Sequence, residues 1–149
     1  MICVGVLVVG SEVWSRGDTT LQAAAVRFEV RLAEPQQAAG LREARIAGSN
    51  QVVYLHHEII VSNGDISQSR VVQGDSPSRF GVVVEFKAEG AEKMRLATGN
   101  HVGRPLAILI DGDVVTAPVL RSSISRLAVI SGDYTKAEAD KIVSGIVGL

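Results

Sequence analysis

A chain of 149 residues falls within the size of one domain and can bury a core without metal or disulfide staples. Its 46% hydrophobic and 21% charged content excludes general disorder, and 15 basic against 16 acidic residues leave no overall field to attract nucleic acid or an anionic membrane. The lone Cys3 excludes an internal disulfide, and the 4% aromatic content demands a mainly aliphatic core.

The N-terminal run ICVGVLVVG is shorter than the roughly 20 residues that span a bilayer, so no integral membrane segment is expected. Nothing basic precedes Arg16, so the run is no clear signal peptide. Two readings stand: a β-branched strand, or the remnant of a longer export signal. Residues 1–20 are therefore set apart, as this apolar segment and the polar connector SEVWSRGDTT, from a folded domain over residues 21–149.

Within the domain, Val26, Phe28, Val30 and Leu32 alternate with Arg27, Glu29 and Arg31, the period of a strand with one wet face. Pro35 to Asn50 has no firm period and reads as a surface loop with at most one helical turn. Val52–Leu55 and Ile59–Val61 are short apolar runs around His56, His57 and Glu58. NGDISQSRVVQ predicts a short helix capped by Asn63 or Asp65, followed by a loop around Pro77. FGVVVEF, with valines on both faces, predicts a central strand.

From Ala88 to Thr98, Ala91, Met94 and Ala97 or Thr98 lie along one helical stripe, and Gly99-Asn100 predicts a left-handed stop. Thr135 and Glu138 form a T-x-x-E capping box before Ala139, Ile142, Val143 and Ile146, which predicts a C-terminal amphipathic helix. Strands and helices interleave without strict alternation. The fold expected is a single α+β domain, with a mostly antiparallel sheet and two main helices.

LAILIDGDVVTAPVL places Asp111, Gly112 and Asp113 between two β-rich runs. Glycine reaches positive φ without a Cβ clash, and short carboxylates suit hairpin corners, so the three read as turn residues. A calcium loop would need oxygen ligands where Val114, Val115 and Ala117 stand. Pro118 is tolerated on an edge, which makes residues 113–119 an edge strand. Adjacent His56 and His57 would point to opposite faces of a strand and cannot share a metal unless the backbone leaves the extended form. HExxH, GxSxG, P-loop and GxGxxG patterns are all missing, so no catalytic residue, metal or cofactor is assigned.

From Phe80 onward the chain resembles the head region of the first large periplasmic domain of SecD and SecDF, export subunits associated with the Sec translocon. The resemblance rests on a spaced series: the strand ending in Phe86, Glu89 to Ala91, Thr98, Asn100 with Val102-Gly103, LAILIDG, Thr116 to Pro118, Ile130 to Gly132, and a Thr-capped helix with Glu138-Ala139. More loosely it extends back through VSNGDISQSRVV and VRFEVRLAE to about residue 24. SSISRLA lacks the glycines that the family carries before Ile130.

The resemblance implies an extracytoplasmic, non-enzymatic binding module that contacts an extended or translocating polypeptide, or another protein partner. A copy without the family's membrane helices would not carry its proton-driven motor role. The edge strand Val114, Val115, Thr116, Ala117, Pro118 and Val119 is the candidate peptide-binding element, because backbone hydrogen bonding tolerates many sequences. Asp111, Gly112, Asp113, Gly132 and Thr135 are assigned to turns and caps. The rival expectation is a small-ligand site or an uncharacterised enzyme, with a pocket near the Gly99–Arg104 loop built on Asn100, His101 and Arg104.

Overall fold

A computed structural model describes residues 26–147. Both readings of the N-terminal segment concern residues outside the described ones. Strand β1, Phe28–Glu34, follows the alternation of its sequence, with Phe28 and Val30 fully buried. Its other face is roofed rather than wet at Glu29, which is buried beneath Arg31 at 3.1 Å and Arg27 at 3.4 Å. That pairing offsets the cost of burying the carboxylate.

The reading of Pro35–Asn50 as a loop is corrected by β2, Arg42–Arg45. REAR carries no β-branched residue, so local propensity gives no strand signal. Pairing with β3, Val52–Leu55, imposes the strand, from Arg42 opposite Leu55 to Arg45 opposite Val52. β4, Val61–Ser62, pairs with β1.

The predicted helix after Asn63 is also corrected. Only Asn63–Asp65 turns, as one 3-10 turn, and Ile66–Gln73 is strand β5. β5 pairs along its length with β6, Phe80–Phe86, so a local helical option yields to a tertiary ladder. β6 is the centre of a three-stranded sheet, flanked by β5 and by β9, Leu127–Tyr134. Val82 and Val84 face the core at 0% exposure, and Val83 on the opposite face is at 8%.

Helix α1, Ala88–Gly99, buries Gly90, Ala91, Met94 and Thr98. Its stop is not left-handed: Asn100 sits at φ −96, and Gly99 is not among the positive-φ glycines. The last carbonyls are satisfied otherwise. The Thr98 carbonyl accepts the His101 N–H at 3.0 Å and the Leu96 carbonyl accepts Asn100 Nδ2 at 3.3 Å, while Thr98 Oγ1 accepts the Ile124 N–H at 2.8 Å. Helix α2, Lys136–Val147, begins at a reciprocal box. Thr135 N–H donates to Glu138 Oε2 at 2.9 Å, and Glu138 N–H donates to Thr135 Oγ1 at 3.2 Å.

β7, Leu106–Ile110, and β8, Asp113–Thr116, complete a larger sheet of order β2-β3-β1-β7-β8, with β4 also on β1. Ile46, just past β2, bridges Val114 of β8, and Ala47 N–H donates to the Val114 carbonyl at 2.7 Å. The sheet thus curls until its two ends meet, around Ala33, Val53, Leu55, Ala107, Leu109 and Val114. The main core lies between the sheets and helices and is led by Phe28, Met94, Ile130 and Ile146. The observed architecture is α+β, with every ladder between strands antiparallel. No helix among the described residues is long and apolar enough to cross a membrane.

At the β7–β8 corner Asp111 has φ 52 and Gly112 φ 91, the two successive positive angles of a type I′ turn. Asp111 does more than turn the chain: its Oδ1 accepts the Arg27 N–H at 2.8 Å, and its own N–H donates to the Arg27 carbonyl at 2.8 Å. Gly112→Ala is expected to cost on the order of 1 kcal/mol or more, because a Cβ is disfavoured at positive φ. It would also approach Arg27 Nη2 at 3.0 Å. Asp111→Ala is expected to cost a comparable amount by losing the bond to Arg27. Urea melts of both variants check this.

Candidate functional site

The candidate edge, Val114 to Val119, divides in two. Val114, Val115 and Thr116 belong to β8, while Ala117, Pro118 and Val119 have left the strand. Much of the backbone is already engaged. Val114 O accepts from Ala47 and Pro118 O accepts from Leu106 N–H at 2.9 Å. Val119 bridges Pro105. Val115 and Thr116 remain half-exposed on the wall of a groove of about 690 Å³.

The groove's other lining comes from Ala47–Ser49, from Ser131–Tyr134 of β9, and from Glu138, Lys141 and Ile142 of α2. It therefore lies where the curled sheet meets the three-stranded sheet and the C-terminal helix. Gly132 is within β9, not at a turn. Between Val82 opposite Ile130 and Phe80 opposite Tyr134, the three residues Ser131, Gly132 and Asp133 face the single Gly81, which makes a bulge. A Cβ on Gly132 would come within 2.8 Å of the Tyr134 ring, so glycine lets that ring lie across the bulge. Burial, and secondarily the charge of Glu138, push the Tyr134 hydroxyl above its ordinary value, so it stays a neutral hydrogen-bonding group at the groove. Asp113 is exposed.

The rival loop residues stay close but are engaged within the chain: Arg104 Nη2 donates to the Asn100 carbonyl at 3.1 Å, and Arg104 and His101 both face Glu34. His101 is buried at 2% exposure, with Nε2 2.8 Å from the Ala33 carbonyl. Asn100 caps its own helix. Arg104 lines a groove of about 470 Å³, shared with Glu34, His56 and the Pro35–Ala39 segment. His57 is exposed, and among the described residues no three His, Cys, Asp or Glu side chains form a group that could hold a metal.

Sequence reasoning missed the centre of that network. Glu34 Oε2 lies 2.8 Å from His56 Nε2, 3.2 Å from Arg104 Nη1 and 3.8 Å from His101 Nε2. These partners are 22, 70 and 67 residues away in sequence, as the numbering shows, and no local pattern could have joined them. Burial opposes the charged carboxylate. The hydrogen bond from His56 and the charges of Arg104, His101 and His56 together outweigh it and hold Glu34 below its ordinary value.

A folded value below the unfolded one means that this stabilisation is complete above the unfolded value, about 4.3, and is lost as pH falls through the folded value. Glu34→Gln is expected to cost about 1–2 kcal/mol at neutral pH. It should also flatten the fall of stability below about pH 4.5. Melts at stepped pH would test this, and an acid limb as steep as wild type would contradict it.

The family model described as SecDF, P1 head subdomain, matches residues 37–146. The chain is 36% identical over 89 residues to protein translocase subunit SecD of Elusimicrobium minutum, an alignment covering 60% of this chain and 19% of that protein. It is 37% identical over 86 residues to SecD of Aquifex aeolicus, covering 58% and 17%. The chain thus corresponds to about a fifth of the length of these relatives. Among solved structures, SecDF in a super-membrane-facing form superposes with a TM-score of 0.66 at 25% identity, covering 84% of this chain and 19% of that one. With the element series from Phe86 to α2 in place, the match over residues 37–146 shows that the chain belongs to the SecDF P1 head subdomain family.

Proposed function

We propose that the domain is a non-enzymatic, extracytoplasmic module of the protein-export apparatus that contacts an extended or translocating polypeptide. Family membership supports the setting. The observation that carries the contact is the 690 Å³ groove, with Val115 and Thr116 of β8 on one wall and Ser131–Tyr134 of β9 on another. Strand backbone at a groove wall offers hydrogen bonds to any extended chain, and the sequence tolerance of that mode suits a varied clientele. The chemistry of the lining points the same way: Tyr134, Val115 and Ile142 supply apolar contact, while Glu138 is occupied in capping α2.

Titration of the isotope-labelled domain with a reduced, alkylated unfolded protein tests this reading. Amide shifts are expected at Val114–Thr116 and Ser131–Tyr134. Unchanged spectra at millimolar polypeptide would dismiss it. Of the rival trio, His101 is buried against the Ala33 carbonyl and Asn100 is occupied in capping its own helix, so the small-ligand reading is not carried forward.

A further inference from the structure

We propose that the outward edge of β9, at Leu127 and Val129, accepts an extended apolar polypeptide segment as an added antiparallel strand. The inference rests on the reading of the domain as a polypeptide-contacting module, and it assigns the pairing to an element outside Val114–Val119.

In an antiparallel ladder, alternate residues aim both backbone groups at the same neighbour. The Phe86 N–H donates to the Arg126 carbonyl at 2.8 Å, and the register runs from Glu85 opposite Leu127 to Val82 opposite Ile130. Arg126, Ala128 and Ile130 therefore direct their N–H and C=O groups to β6, and Leu127 and Val129 direct theirs away from it. Among the described residues β9 has β6 as its one ladder partner. Leu127 and Val129 thus present a spaced pair of donors and acceptors along one edge.

Their side chains fit the same use. Ala128 and Ile130 are buried, whereas Leu127 is 50% and Val129 54% exposed, so the same two residues carry the edge backbone and apolar side chains on the sheet's outer face. Isolated exposed valines are ordinary, but paired valine and leucine on a strand edge without a ladder partner among the described residues form a template for another strand. An added strand would place alternate side chains beside Leu127 and Val129, which selects segments with apolar residues at every second position. The bulge at Ser131–Asp133 ends the regular edge and sets the length of pairing. By contrast, Val114 and Pro118 already use their carbonyls within the chain.

The probe is a soluble synthetic peptide of alternating valine and threonine with lysines at both ends, titrated into the isotope-labelled domain. Amide shifts centred on Leu127–Ser131 are expected. Val129→Pro removes a donor that faces away from β6, so the β6 ladder keeps its bonds while affinity falls by about tenfold or more. Replacing Leu127 and Val129 together by lysine is a second blocking variant, for use if the proline variant unfolds, and is expected to weaken binding similarly.

Shifts confined to Val114–Thr116 and Ser131–Tyr134, unaffected by either variant, would overturn this inference and leave the groove reading standing. Silence at both places would remove both. Slow amide exchange at Leu127 and Val129 in the free, dilute protein would show that the edge is already occupied and would overturn the inference. Shifts at these residues that follow protein concentration without peptide would assign the edge to a second copy, with the same consequence.

Discussion

Asn63→Ala is expected to lower the stability of the domain by about 2–4 kcal/mol, since each buried group left without its hydrogen bond costs about 1–3 kcal/mol. Asn63 Oδ1 accepts the N–H of buried Phe28 at 2.8 Å, and its Nδ2 donates to the carbonyls of Val26 at 2.8 Å and Ile146 at 3.2 Å. One amide therefore ties the start of β1 and the end of α2 to the turn after β4. Alanine fills none of these roles, and the N–H of the fully buried Phe28 loses its side-chain acceptor. Asn63→Asp keeps the acceptor and loses the donor, so it should fall between alanine and wild type. Guanidinium melts of the three proteins check the order, and an alanine variant within about 0.5 kcal/mol of wild type, the usual range for a plain surface substitution, would refute the tether.

Gly90→Ala should be destabilising by about 1–3 kcal/mol, the usual cost of forcing a group into a filled site, although alanine is ordinarily favoured over glycine inside a helix by up to about 1 kcal/mol. A Cβ at Gly90 would stand 2.8 Å from Asp65 Cβ and 3.1 Å from the Asp65 carbonyl oxygen. Asp65 has little room to give way. Its carbonyl accepts the Lys87 N–H at 2.8 Å, its Oδ2 accepts the Ser62 N–H at 3.0 Å, and Lys93 pairs with its Oδ1 at 3.3 Å. The first turn of α1 is thus seated directly on the 3-10 turn, and only glycine permits that approach. Gly99→Ala is the control. At that end of the same helix the nearest atom to a new Cβ is Ser123 Cβ at 3.9 Å, so propensity should win and stability should hold or rise. A stabilised Gly90→Ala in thermal melts would show that the two turns are not locked together.

These two positions mark the division between local and distant information. Asn63 reads from sequence as a helix cap, and the turn it begins does exist, but its partners at Val26, Phe28 and Ile146 are determined by how β1 and α2 close on the β4 turn. Gly90 belongs to a motif that the family resemblance singled out, while its physical reason, the backbone of Asp65, lies 25 residues back in the chain by the numbering. The groove walls follow the same rule. Thr116 and Tyr134 are unremarkable in sequence and meet only because two sheets abut.

By itself the sequence determined what short-range physics governs. The period of two in Val26–Leu32, the valine run of β6, the Thr135–Glu138 box and the apolar spacing of α2 each follow from side-chain direction within a few residues, and the Asp111-Gly112 corner from the rarity of positive φ. Tertiary structure decided what no local window contains. Strand β2 exists because β3 pairs with it, and β5 is extended because β6 lies alongside, each through backbone bonds that any sequence can make. Tertiary structure also determined that Glu34 gathers His56, His101 and Arg104, that the ends of the larger sheet meet at Ile46 and Val114, and that β9 pairs with β6 alone among the described strands. Those outcomes depend on which distant surfaces come within hydrogen-bonding distance, a property of the packed chain and not of its segments.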